Sequence, residues 1–374
     1  MSVENRKHAS TSHMARFRAL DLNSDPFIAF WEVTTACALS CLHCRAKAQP
    51  KAHPLELKTD ECMRVVDSIA QFDAPPLLIL SGGDPFMRRD LFDIVAHARS
   101  KQLTVAVAPS ATALVTEERL RNLVDLGVSS VSFSLDGASA ETHDSFRGFA
   151  GTFERTLRMM AFANECGMPF QVNTTVSRRS VDEVPQMAQI MADNGASTWD
   201  LFFLVPTGRA ALDQVLSPGE HEKVFAWMLD NARNWPFRMK TTLAQHYRRA
   251  FVLRRMQADQ LEPVPAEVKP MIRDGWPGPT TNDGKGTMFI SHLGDIYPSG
   301  FLPVRTGNVR TDDLVSVYRQ SPVFTSLRNS SQLKGKCGDC PFNEVCGGSR
   351  ARAYAMTGDM LAADPTCAYQ PVVA

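Results

Sequence analysis

Between Phe27 and Arg209, short apolar runs alternate with longer stretches whose apolar positions recur every three or four residues. The short runs are FIAFWEVT (27–34), LLILSG (77–82), LTVAVA (103–108), SVSFSL (130–135), FQVNTT (170–175) and WDLFFLV (199–205). Each is rich in β-branched or aromatic residues, the composition of strands. Stretches such as DECMRVVDSIAQF (60–72), RRDLFDIVAHARS (88–100) and TEERLRNLVDLG (116–127) carry the helical period. Thr59 and Thr116 read as N-caps, and acidic residues follow Thr116 where the helix dipole favours them. Gly127 and Gly167 fit helix C-termini. Six strand–helix units predict an α/β fold with a parallel sheet, open or curled into a barrel. Such sheets place their chemistry at the C-terminal ends of the strands.

The pattern then changes. Ser217 to Gln257 reads as helical and ends in a basic cluster, Arg248, Arg249, Arg254 and Arg255. Residues 258–286 are rich in Pro, Gly and Asp and read as a loop. TMFISHLGDIYPSGFL (287–302) suggests a hairpin about Leu293-Gly294-Asp295, and 312–328 suggests one or two short helices. The expected organisation is a flexible arm (1–25), a barrel (26–215), a helical bridging region with its loop (216–287) and a C-terminal unit (288–374).

Composition narrows the function. Forty basic and forty acidic residues cancel, so no basic field marks a nucleic-acid partner. No apolar run reaches the roughly 18 residues of a membrane span, and the polar start lacks a signal-peptide core, so a cytoplasmic protein is expected. Nine cysteines, an odd number, argue against a disulfide framework. Cys62 and Cys166 stand alone and read as small buried hydrophobes. The other seven fall in two groups, the pattern of metal or iron–sulfur ligands.

Cys37, Cys41 and Cys44 follow the first strand with the spacing C-x3-C-x2-C. Three thiolates on one loop can hold three irons of a [4Fe–4S] cube and leave the fourth open, as catalytic metal sites do. This motif after the first strand of a six-unit barrel resembles the radical S-adenosylmethionine (SAM) superfamily. Ser81-Gly82-Gly83-Asp84-Pro85 resembles the Gly-Gly-Glu-Pro motif of that family, with Asp for Glu, and Ser134-Leu135-Asp136-Gly137 ends the fourth strand. The resemblance implies a partial (β/α)6 TIM-like barrel and a 5′-deoxyadenosyl radical that takes a substrate hydrogen. It assigns Gly82, Gly83 and Asp84 to the methionine amino end of SAM, Ser134 and Arg147 to its carboxylate, and Asp136 to the ribose side. His43 takes the place of an aromatic packed on SAM, and Val176 and Leu204 would line the adenine pocket.

Near the C-terminus, Cys337, Cys340, Cys346 and Cys367 read C-x2-C-x5-C-x20-C. Spacing alone fits zinc or a fully ligated cluster. The set resembles that of SPASM domains, α+β appendages of radical SAM enzymes with auxiliary [4Fe–4S] clusters. Ser299 or Gly300 stands where full SPASM domains carry another cysteine, so the resemblance implies a twitch-like unit with one auxiliary cluster and two [4Fe–4S] clusters in all. CGGSRARAYAMTGDMLAADPTCAYQP (346–371) resembles the haem and haem d1 biosynthesis subgroup.

Three functional readings follow. A tetrapyrrole needs cationic clamps, for which Arg248, Arg249, Arg254, Arg255, Arg350 and Arg352 are candidates, with His246 a candidate axial ligand. A ribosomally made peptide is the alternative substrate, and a non-catalytic redox scaffold the alternative outside enzymes. A radical SAM enzyme also implies an electron donor such as flavodoxin or ferredoxin.

Overall fold

The computed structural model describes residues 20–258 and 280–371. Most of the expected N-terminal arm and of the 258–286 loop therefore lies outside the described residues. The parallel strands are β1 (Ile28–Glu32), β2 (Leu77–Ser81), β3 (Val105–Val107), β4 (Ser130–Ser134), β5 (Phe170–Val176), β6 (Thr198–Phe203) and β7 (Arg238–Thr242). Helices connect them: α1 (Thr59–Ile69), α2 (Leu91–Ser100), α3 (Glu117–Asp125), α4 (Ala140–Arg147), α5 (Thr152–Glu165), α6 (Val184–Asp193) and α7 (Pro218–Asn231). After β7 come α8 (His246–Ala258), β8 (Thr287–Ile290), β9 (Asp295–Tyr297), β10 (Gly307–Asn308), α9 (Leu314–Gln320), α10 (Pro322–Arg328) and α11 (Arg350–Thr357).

One sheet runs β10-β9-β8-β1-β2-β3-β4-β5-β6-β7. Alternation sorts its side chains. Trp31, Leu80, Val131, Val172 and Trp199 are fully buried in the core against the helices. The opposite face, the inside of the partial barrel, carries Phe30, Ile79, Ser134, Asn173, Asp200 and Lys240 in register across neighbouring strands. Among the described residues no helix is long and apolar enough to cross a membrane.

Three local differences from the sequence pattern have physical causes. β7 falls in a stretch expected to be helical, because RMKTT is a polar edge strand with no apolar run to announce it. Thr59 is the first helical residue of α1 rather than its cap; Lys58 holds the cap position and its N–H donates to Glu61 Oε2 at 2.8 Å. Thr116 does cap α3, accepting from Arg119 N at 3.2 Å. The C-terminal hairpin forms no sheet of its own: β8 lies parallel to β1 and covers an edge that would otherwise be unpaired.

Residues 21–25 of the expected arm are pinned to this unit. Tyr318 Oη donates to Leu22 O at 2.8 Å and Arg319 Nε to Ser24 O at 2.9 Å. At the other side of the barrel, Arg352 of α11 is fully buried and donates to Phe203 O at 3.2 Å and Leu204 O at 3.4 Å, at the end of β6. The C-terminal unit thus grips both β1, through β8, and β6.

Candidate active site

Cys37, Cys41 and Cys44 lie at the C-terminal end of β1, on a loop held by the ends of the other strands. From β2, Gly82 and Gly83 press against it: a Cβ on Gly82 would lie 2.4 Å from Thr34 O, and one on Gly83 2.4 Å from Ala36 O. These glycines therefore serve close backbone packing on the cysteine loop as well as any approach to a ligand. Asp84 is buried, accepting from Phe86 N at 3.1 Å and Thr112 Oγ1 at 2.6 Å. Burial pushes its carboxyl up, and these donors only partly oppose the shift. Ser110, after β3, donates to Gly83 O at 2.6 Å and lies 3.7 Å from Cys37 Sγ. After β6, Gly208 sits so close that a Cβ would fall 2.4 Å from the carbonyls of Cys44 and Arg45. Arg209 Nε donates to Cys41 O at 2.9 Å, while its Nη2 is buried without a partner among the described residues.

The end of β4 supplies a buried charged cluster. Arg147 Nη2 lies 2.6 Å from Asp136 Oδ2, and Nη1 lies 3.8 Å from Cys41 Sγ. Asp136 Oδ1 also accepts from Thr175 N at 2.6 Å. Burial opposes the Asp136 charge, but Arg147 and the Thr175 N–H outweigh it and hold the carboxyl below its usual range. His43 stacks on Phe146 with ring centroids 4.2 Å apart. Burial brings its pKa down to about 4, so the ring is neutral. Arg147 and Asp136 are thus engaged with each other, and His43 with Phe146. Ser134 keeps a hydroxyl with no hydrogen bond among the described residues.

Val176, expected beside adenine, is instead fully buried in the helix-facing layer, paired in register with Phe203. Alternation along β5 gives the inner face to Asn173 and Thr175. Leu204 follows β6, with its N–H on Val176 O at 3.1 Å.

The donor set suits a cluster. Leu39 N donates to Cys37 Sγ and Ala48 N to Cys44 Sγ, each at 3.3 Å, and with Arg147 near Cys41 every sulfur has a polar partner that steadies a thiolate. Among the described residues no three Cys, His, Asp or Glu side chains gather as around one ion. A cube binds each thiolate to a separate iron, so it asks for a wider spacing.

The second cysteine group surrounds a small cavity of about 20 Å³ lined by Cys337, Cys340, Cys346, Cys367, Arg249, Lys336 and Tyr369. Gly348 N donates to Cys346 Sγ at 3.3 Å and Asp364 N to Cys337 Sγ at 3.5 Å. Burial pushes the Cys340 thiol up to about 11 and raises Cys346 and Cys367 too, so metal binding here must displace protons. Ser299 turns inward to accept from Phe301 N at 3.3 Å.

Five of the six arginines considered as substrate clamps have these partners within the protein. Arg350 donates to Ala362 O at 2.7 Å, and Arg248 to Val345 O at 3.0 Å. Arg249 pairs with Glu222, Arg254 with Asp230, and Arg352 with Asp364 at 3.4 Å. His246 is fully buried against His221 and Phe225, which leaves no room for an axial ligand's partner.

Ser110, Arg209, Glu32 and His292 were not singled out by sequence. The first two follow strand ends, which was the available signal. Glu32 ends β1 and bonds His292 Nδ1 at 2.8 Å and Arg45 Nη2 at 2.6 Å.

Comparison with known proteins gives a consistent picture. The Radical SAM superfamily profile matches residues 31–191. The chain is 39% identical over 352 residues to the AdoMet-dependent heme synthase of Methanosarcina barkeri, covering 94% of this chain and 98% of that protein. It is 28% identical to the PqqA peptide cyclase of Methylocella silvestris, covering 91% and 87%. The fold is similar to that of Streptococcus suis SuiB, with a TM-score of 0.69, 15% identity and coverage of 97% and 82%.

Proposed function

The chain belongs to the radical SAM superfamily, and from that premise we propose that it removes carboxyl carbon from side chains of a tetrapyrrole. Membership makes it an enzyme that uses SAM and a [4Fe–4S] cluster, and sets aside the non-catalytic scaffold. The observation that carries the substrate assignment is the end-to-end 39% identity to AdoMet-dependent heme synthase, against 28% to PqqA peptide cyclase. The inner wall of the barrel supports it. Phe30, Phe289 and Tyr297 stand side by side in register on β1, β8 and β9, an apolar face for a flat ring. Across the barrel, Asn173, Asp200 and Lys240 form a polar row, with Lys240 Nζ 3.0 Å from Asp200 Oδ2.

Cys37, Cys41 and Cys44 would hold the catalytic cluster. When bound, that cluster and SAM supply a radical that abstracts a hydrogen atom. The protein's part is positional. The free Ser134 hydroxyl would be available to the methionine carboxylate, and Arg147 stands between Asp136 and Cys41 to offset negative charge. Arg209 anchors the loop after β6 on the cysteine loop. The apolar face keeps water from a reactive carbon. A substrate radical on a carboxyethyl side chain becomes a vinyl group by losing carbon dioxide and one electron, so a one-electron acceptor is required. Cys337, Cys340, Cys346 and Cys367 would hold an auxiliary [4Fe–4S] cluster, and a flavodoxin or ferredoxin would supply reducing electrons.

A peptide substrate is the second reading, favoured by the likeness to PqqA peptide cyclase. Reconstituted protein incubated anaerobically with SAM, dithionite and iron coproporphyrin III tests the proposal. Formation of 5′-deoxyadenosine with a decarboxylated ring is expected; 5′-deoxyadenosine with the ring unchanged would overturn the substrate assignment.

A further inference from the structure

We propose that His292, held by Glu32, is an axial ligand that takes the central metal of a metallated tetrapyrrole through Nε2. The proposal rests on the tetrapyrrole reading and assigns it a residue. Glu32 is the last residue of β1 and shares the inner face with Phe30, two positions before it. It is 3% exposed, yet its carboxyl is held below its usual range: burial opposes the charge, and Arg45 together with the hydrogen bond from His292 outweighs that cost. His292 comes from the turn between β8 and β9, and that turn is fixed independently by Leu57 N donating to His292 O at 2.9 Å. Thus the ring is presented by a rigid hairpin at the mouth of the barrel, not by a mobile tip.

The chemistry follows from which nitrogen is used. Nδ1 lies 2.8 Å from the Glu32 carboxylate, an acceptor only, so Nδ1 carries the proton. Nε2 is left with its lone pair and makes no hydrogen bond among the described residues. The side chain is 15% exposed. A carboxylate behind an imidazole fixes the tautomer, orients the ring and raises the basicity of the far nitrogen, the arrangement found behind metal-ligating histidines. A general base has the same layout, but hydrogen-atom abstraction followed by loss of carbon dioxide asks no base to take a proton from the substrate.

The surroundings fit a metallated ring. Phe289 and Tyr297 flank the hairpin on the inner face, and Arg45 lies 4.6 Å over the Phe289 ring while bonding Glu32. A planar macrocycle seated there meets aromatic surface at Tyr297 and a nitrogen ligand for its metal, while Arg45 stays on Glu32 and the Phe289 face. His53 lies 5.5 Å away, ring edge toward ring, but its Nδ1 accepts from Leu55 N at 3.2 Å. It is exposed and, among the described residues, has no carboxylate behind it, which makes it the natural control.

The test titrates reconstituted protein with iron(III) coproporphyrin III and, separately, with metal-free coproporphyrin III, following affinity and the ferric EPR signal. Wild type is expected to bind the iron ring more tightly and to show nitrogen ligation. His292→Ala and His292→Gln are each expected to bind the iron ring at least about tenfold more weakly and to lose that ligation. Gln can still donate to Glu32, so its loss reports the ring nitrogen rather than the fold. Binding of the metal-free ring is expected to be unchanged, as is everything in His53→Ala. Free imidazole is expected to restore the EPR signal in His292→Ala. An iron-ring affinity and EPR signal unaltered in both His292 variants would overturn the ligand assignment while leaving the tetrapyrrole reading intact. Failure of wild type to bind either ring would overturn both.

Discussion

The two cysteine sets are built in opposite ways. Cys37, Cys41 and Cys44 lie within one short loop that is fastened from outside, by Gly83 after β2, Ser110 after β3, Arg147 at the end of α4 and Gly208 with Arg209 after β6. Cys337 to Cys367 span a longer segment that largely fastens itself, through Arg350 on Ala362 O and the N–H donors of Gly348 and Asp364. The difference follows from what each must leave free. On the proposed reading, three ligands would close nothing, so the barrel would have to fix the loop and keep one position open; four ligands would enclose their contents and need only a lined cavity.

The largest effects should separate the two sets. Cys41→Ala is expected to abolish 5′-deoxyadenosine release while leaving the iron EPR signal of the C-terminal set. Cys346→Ala is expected to retain SAM cleavage uncoupled from product. Full product formation by Cys346→Ala would remove the second set from the reaction.

Next comes the joint between the regions. Arg352 and Asp364 are both fully buried, and the carboxylate also accepts from Ser349 N at 2.8 Å. Burial opposes the Asp364 charge, yet Arg352 and His246 outweigh it and hold the carboxyl well below its usual range. Arg352→Met strands that charge and frees the carbonyls at the end of β6. A loss of about 3–5 kcal/mol in denaturant unfolding is expected; a loss under about 1 kcal/mol would mean the regions are not joined there.

Acid should weaken the barrel through its buried imidazoles. Burial brings His143 and His221 each down to about 4. Both are neutral above pH 6.5 folded or unfolded, so stability is flat there. As pH falls from 6.5 toward 4, the unfolded chain takes up protons that the fold refuses. Stability should then fall by roughly 1.4 kcal/mol per pH unit for each ring. His221→Phe should remove one proton from the slope, and an unchanged slope would exclude His221 as a contributor.

The smallest effect is expected at Arg254, whose side chain is 56% exposed beside Asp230. Arg254→Ala should leave activity unchanged and shift stability by less than about 1 kcal/mol. A selective loss of ring binding would restore the basic cluster as a clamp.

Sequence reached the elements whose burial repeats and the ligands that lie close together. Six strands announce themselves because one face of each must be apolar, whereas β7 is polar on an edge. The cysteines are legible as local spacing. What fixes them is not: Cys37 meets Ser110 from 73 positions away, Cys41 meets Arg209 from 168, and Glu32 meets His292 from 260. Charge was the weakest guide. Arg350 and Arg352 look like free cations in a basic run, and the fold turns both inward onto carbonyls and a carboxylate. Val176 lies on the helix-facing side for a simpler reason: a shift of one position along a strand changes the face.

The most direct measurement is isotope transfer. Iron coproporphyrin III deuterated on its carboxyethyl chains would be incubated with reduced, reconstituted enzyme and SAM, and the 5′-deoxyadenosine examined by mass spectrometry. The account predicts deuterium in the 5′-deoxyadenosine and vinyl groups in the ring. Unlabelled 5′-deoxyadenosine beside an intact ring would contradict it.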